Sequence, residues 1–199
     1  MSAENPTVRS RRRAEIIAEA RKLVAEGGLE AMTIAALEER LSFTRGVITY
    51  HFENKAEIVE AVLDSAIAEI NDASQTAIHA SASFPEKLQA MVKQTVQGFL
   101  RHREAARILI SFWARIPVDP HAAGLNARLY TRYREAAVKL LKIGQSSGHV
   151  RADADLHAVA AVIVATVIGV VTQVYFEQGS IDPDNAVSES IAGILLRLA

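Results

Sequence analysis

Residues 44–55 read TRGVITYHFENK, and nearly every polar side chain in that stretch suits contact with a nucleic acid. Arg45 offers the paired donors that guanine O6 and N7 accept in a major groove, and Thr49 can meet a base edge or a thymine methyl. Tyr50, His51 and Lys55 suit phosphate oxygens, as do helix N-termini capped by Thr33 and Asn54. Gly46 has no Cβ and lets a backbone approach closely. This chemistry needs a platform. On a helix over roughly 45–51 capped by Thr44, Ile48 and Phe52 stand four apart and turn inward, while Arg45, Gly46, Thr49 and Tyr50 face outward. Taken alone, the same segment also reads as a short solvated connector.

The surrounding elements supply such a platform without deciding between the two readings. Apolar residues recur at helical spacing almost throughout, with no convincing strand alternation. A first helix over roughly 9–26 puts Ile16, Ile17, Ala20, Leu23 and Val24 on one stripe and ends at Gly27-Gly28. Thr33 caps a short second helix, roughly 34–40, with Ile34, Leu37 and Leu41 inward. Asn54 caps a fourth helix, with Glu57 completing a capping box, and that helix runs to about 72. Two short helices joined by a tight turn and braced by neighbours form a helix-turn-helix unit, with the motif at about 33–52.

Residues 10–70 resemble the DNA-binding domain of the TetR family of bacterial transcriptional regulators. The resemblance is carried by an Ile-rich first helix running into "EGGLEAMTI", then "FTRGVITYHFENKAEI", with "YHFENKAEI" at 50–58 a close match. It implies that Arg45, Gly46 and Thr49 meet bases, that Thr33, Tyr50, His51 and Lys55 meet the phosphate backbone, and that Phe43 is the apolar turn residue. Three positions depart from the family pattern. Ser42 stands where Gly is frequent, which puts a left-handed turn in doubt. Glu38 replaces a small residue, and Thr49 replaces the first of two paired aromatics. Arg9, Arg11, Arg12 and Arg13 form a basic arm that either stays solvated or reaches the DNA.

Composition sets the bounds. The chain has 199 residues, 23% of them charged, a formal net charge of -1 and no cysteine. Any basic surface is therefore local, disulfides are excluded, and a cytoplasmic location is the simplest reading. The N-terminus lacks the apolar core of a signal peptide. There is no phosphate loop, GxSxG or HExxH, and the six His are scattered. No enzyme activity, metal or cofactor is expected. Asp153 and Asp155 read as acids in the first turn of a helix.

The fold expected is all-α with about nine helices: the DNA-binding domain at 10–70, then a helical ligand-binding and dimerisation domain at 71–199. The Ser/Ala-rich "ASQTAIHASASFPEK" ends the fourth helix, and further helices are expected near 85–102, 104–115, 121–147, 153–178 and 183–198. The "FW" at 112–113 and "GHVRADAD" at 148–155 are similar to the C-terminal domains of betaine-repressor-type members. Residues 158–176 carry no charge and meet the length of a membrane span, but they lack a basic flank. A helix buried against protein fits better. Ala161, Ala165 and Gly169 are spaced for close helix approach, and with Ile191, Ile194, Leu195 and Leu198 they would form a homodimer's four-helix bundle. Met91, Phe99, His102, Phe112, Trp113, Tyr130, Tyr133 and Gln173 are either core or the wall of a pocket for a small-molecule effector. Arg103, Arg107 and Arg115 beside them would favour a ligand with an anionic or polar end. The partners expected are double-stranded operator DNA, a second copy of the chain and that effector, with no membrane.

Overall fold

The computed structural model describes residues 8–177, 179 and 181–199, which form nine helices with no strand among the described residues. They are α1 (Val8–Ala31), α2 (Ile34–Leu41), α3 (Arg45–His51), α4 (Lys55–Ala80), α5 (Phe84–Arg101), α6 (Arg103–Arg115), α7 (Pro120–Ser146), α8 (Leu156–Phe176) and α9 (Pro183–Leu198). The chain divides into two compact units. The first runs up to Glu69 and takes in Arg103–Ala123; the second is Ile70–His102 with Gly124–Ala199.

In the first unit, α1 buries Ile16, Ala20, Leu23 and Val24, one residue per turn or its neighbour, so one stripe faces the core. Its regular helix breaks at Gly28, whose φ of 73° only glycine adopts without strain. Thr33 Oγ1 accepts from Ala36 N at 3.0 Å, so the second helix begins on a working side-chain cap. Thr44 sits at the N-cap of α3 without such a bond. The turn between these helices is left-handed at Ser42, with φ 53° and ψ 31°. A serine thus takes the conformation that glycine usually supplies, and the departure from the family pattern does not open the turn. At the start of α4, Glu57 N donates to Asn54 Oδ1 at 3.0 Å. The return bond to Glu57 Oε2 comes from Glu53 N at 2.8 Å, one residue earlier than in a standard capping box.

Residues 103–123, expected in the C-terminal domain, group with the N-terminal unit. The reason is packing. α6 lies along α1 and buries Ala105, Ala106, Ile108, Leu109 and Phe112. Charge fastens both ends: Arg21 Nε donates to Glu104 Oε1 at 3.0 Å, and Arg115 Nη1 pairs with Glu30 at 2.6 Å. The Arg21 side chain, 13% exposed, also donates to Ser65 Oγ at 2.8 Å and pairs with Glu69. Lys22 and Arg40 hold the Glu19 carboxyl below its ordinary range.

In the second unit, helix α4 extends to Ala80 rather than ending near 72. Alanine is the best helix former, so the Ser/Ala-rich stretch prolongs the helix, and the break falls at residues 81–83. Ser83 and Glu86 then form a capping box for α5. α5 buries Leu88, Val92, Val96 and Phe99 and packs against α8 and α9. At Gly98, an added Cβ would lie 2.1 Å from Ile70 O, so only glycine permits this approach of α4 and α5. Asp155 caps α8, accepting from His157 N and Ala158 N at 3.1 and 3.0 Å. Asp153 lies outside the helix and pairs with Arg151 at 3.4 Å.

Candidate nucleic-acid interface

Helix α3 is a two-faced element. Ile48 and Phe52 are 0% and 2% exposed and anchor it to the first unit's core. Thr44, Arg45, Gly46, Thr49 and Tyr50 are exposed on the other side, with Tyr50 at 67%. Arg45 thus presents its guanidinium outward on a helix held rigid from behind, as base recognition requires. The Thr49 hydroxyl donates to Arg45 O at 3.0 Å, so it faces outward as a methyl and an acceptor. Among the described residues, a Cβ at Gly46 would meet only Thr44 Oγ1 at 3.9 Å, so the glycine there leaves room rather than easing the fold.

The expected phosphate-facing residues differ in their freedom. Tyr50 and His51 stack edge-on at 5.1 Å, and His51 Nδ1 is buried without a hydrogen-bond partner among the described residues. Thr33 is exposed but committed to its cap. Lys55 is exposed, with Nζ 3.4 Å from Leu29 O, and borders a cleft of ≈ 310 Å³ that Glu30 and Arg115 also line.

The basic arm contributes more order than its sequence alone implies. From Val8 it is the first turn of α1. Arg9 lies over Tyr50 at 5.5 Å, Arg12 over Phe43 at 5.7 Å and Arg13 over Phe52 at 4.5 Å. These cation–π contacts set three guanidinium groups along the aromatic residues in and beside the recognition helix. The signal was present in the sequence: Arg9, Arg12 and Arg13 recur at helical spacing, continuous with the first helix.

A short helix with a buried back, an outward Arg–Thr–Tyr face and an arginine-bearing helix beside it is the reading head of a helix-turn-helix protein. Residues 16–62 match the family model described as bacterial regulatory proteins, tetR family, and residues 85–195 match the BetI-type transcriptional repressor, C-terminal. The chain belongs to the TetR family. Over 53 residues it is 45% identical to the HTH-type transcriptional regulator TtgR of Pseudomonas putida, covering 27% of this chain and 25% of that protein. Over 109 residues it is 27% identical to the HTH-type transcriptional regulator BetI of Escherichia coli, 54% of this chain and 56% of that one. The matched stretches thus span between a quarter and about half of those relatives' length. A chain from Saccharomonospora viridis, crystallised in complex with choline, superposes with a TM-score of 0.74 at 22% identity, over 93% of this chain and 96% of that one. What is shared at that identity is the fold.

The residues expected to line an effector pocket in this TetR-family chain fall into both units. Phe112, 2% exposed, and the half-buried Trp113 belong to the first; Met91, Phe99, His102, Tyr130, Tyr133 and Gln173 belong to the second. Gln173 is exposed and donates to Gly169 O at 3.1 Å, so it does not point into the protomer's interior. Arg115 is engaged with Glu30, and Arg103 and Arg107 are exposed. The second unit instead assembles a polar group that the sequence reading passed over. Asn71 Nδ2 donates to Tyr133 Oη at 3.3 Å, Asn126 bonds Tyr130, and Ser74 and Asn126 are 3% and 7% exposed.

The expected dimer face needs one correction. Ile191 and Leu198 are 4% and 2% exposed, so the α9 stripe is used inside the protomer. Ile194 and Leu195 are half-buried, while Ala161, Ala165, Val162 and Leu196 are exposed, the last at 83%. A cleft of ≈ 480 Å³ between α8 and α9 is lined by Val162, Thr166, Gly193 and Ile194 among others. In the most apolar window of α8 only 22% of residues are buried.

Proposed function

We propose that the chain is a cytoplasmic, homodimeric repressor that binds a palindromic operator through α3 and releases it on binding a small-molecule effector. The observation that carries this reading is the outward face of α3, with Arg45, Thr49 and Tyr50 above a buried Ile48–Phe52 anchor and beside the α1 arginines. Arg45 and Thr49 read bases; Arg9, Arg12, Tyr50, His51 and Lys55 meet phosphates. Two half-sites need two recognition helices, and the exposed apolar face of α8 with Leu196 of α9 supplies a self-complementary surface to hold them. The same exposed apolar face on a helix of 21 residues is what a membrane span would offer, and a wild-type protein that fractionates with membranes would favour that reading. The effector acts by shifting the separation of the two recognition helices, for which a coupling of about 1–3 kcal/mol suffices.

The test is capture of genomic fragments by the purified protein, starting with the DNA upstream of its own gene, followed by footprinting of the enriched fragment. A protected palindrome supports the reading. Uniform recovery of all fragments at physiological salt contradicts it. A reporter placed behind the protected site separates repression from activation.

A further inference from the structure

We infer that Asn126, with Tyr130, Asn71 and Tyr133, recognises the hydrogen-bonding end of a neutral, largely apolar effector. This rests on the ligand-responsive reading above and gives its site a chemistry. Asn126 is 7% exposed and sits on α7 between the buried Leu125 and Leu129. One end of its amide is hydrogen-bonded to the Tyr130 side chain, one turn further along α7. Its Oδ1 is buried and has no hydrogen-bond partner among the described residues. Leaving a buried acceptor unmade costs folding free energy, and a leucine of similar volume would avoid that cost. An asparagine there holds an acceptor in readiness for a donor that the described residues do not supply.

The surrounding chemistry narrows the class of donor. Asn71 Nδ2 donates to Tyr133 Oη at 3.3 Å, linking α4 to α7, and the buried Ser74 lies three residues from Asn71. Burial raises the pKa of both tyrosine hydroxyls, so they stay protonated and neutral. Arg132, whose charge acts on Tyr133, is itself exposed to solvent. The recognition groups are therefore amides and phenols. A carboxylate placed among them would lose its hydration for the weak, solvent-screened attraction of Arg132, and an ammonium would meet that charge as repulsion, whereas a hydroxyl or amide would lose little. Tyr130 and Tyr133 are half-buried, so their rings offer apolar surface at the edge of the cluster for the rest of the molecule.

The test is calorimetric titration of the full chain with three probes of equal chain length: 1-decanol, decanoate and decyltrimethylammonium. The proposal expects 1-decanol to bind roughly tenfold or more tightly than either charged probe. Asn126→Leu should weaken 1-decanol by roughly tenfold, while the thermal midpoint of the ligand-free protein holds or rises. Tyr133→Phe, nearly isosteric, should weaken it several-fold and carries the test alone if Asn126→Leu fails to fold. Preference for a charged probe, no binding of any probe, unchanged 1-decanol affinity in both variants, or a lowered midpoint in a folded Asn126→Leu would each overturn the proposal. DNA binding is measured on the same samples without probe. A protein that binds its operator but rejects 1-decanol refutes only the ligand class, whereas one that binds 1-decanol but no operator refutes the regulator reading.

Discussion

The two units put polarity in opposite places. The first sends it outward: the α3 face is polar, the arginines of α1 lie over Tyr50, Phe43 and Phe52, and ion pairs from Arg21 and Arg115 fasten α6 to α1. The second keeps Ser74 and Asn126 inside and leaves Val162, Phe176 and Leu196 exposed at 54%, 68% and 83%. A surface rich in arginine suits a polyanion in water, whereas an exposed apolar face is unfinished until something covers it. The first unit is therefore complete as a protomer and waits for DNA. The second leaves an apolar face uncovered, and the proposed partner and effector would act there and at its buried polar groups.

Two glycines break that comparison most sharply. Gly98→Ala drives a Cβ into Ile70 O and should destabilise the second unit by about 3 kcal/mol, read by denaturant unfolding. Gly169 has nothing among the described residues within 4 Å of where its Cβ would be, so Gly169→Leu should leave protomer folding intact and instead abolish the proposed dimerisation, read by light scattering. A Gly98→Ala protein as stable as wild type, or a Gly169→Leu protein that remains dimeric, would show that these faces have been assigned wrongly.

On the DNA side, Arg45→Ala should cost about 1–3 kcal/mol of operator affinity and relax preference at one base pair per half-site. Lys55→Ala should weaken all sequences alike, and by less, because Nζ is also drawn toward Leu29 O. A binding selection distinguishes them; if both variants lose the same base preference, the division between base and phosphate contacts fails.

The smallest effects concern the caps. Thr33→Ala should cost about 1 kcal/mol of stability because its Oγ1 accepts from Ala36 N. Thr44→Ala, with no capping bond to lose, should cost only a few tenths at most. Denaturant midpoints of the two variants check this, and equal losses would contradict the capping geometry.

Local signals were the legible ones. The caps at Thr33 and Asn54, the break at Gly28, and the inward Ile48 and Phe52 all follow from chemistry within a few residues of each position. The helical arginines of α1 could have been read the same way. What escaped the sequence was set by long-range packing. Nothing local shows that α6 lies on α1, because its apolar stripe would suit any partner. Ile191 and Leu198 form as good a stripe for the protomer's interior as for a dimer. Asn126 and Asn71 are ordinary polar residues until α4 and α7 bury and pair them with tyrosines. Ser42 shows the converse: propensity argued against a left-handed turn, and the packing of α2 and α3 around it prevailed.

In the proposed function, α3 reads sequence while arginine and lysine hold phosphate. The most direct measurement is titration of wild-type protein against its footprinted operator and a scrambled duplex of equal length, each at about 50 and 200 mM salt. Affinity for the operator should be at least about a thousandfold above that for the scrambled duplex, with both falling steeply as salt rises. Equal affinity for the two duplexes at the higher salt would contradict it.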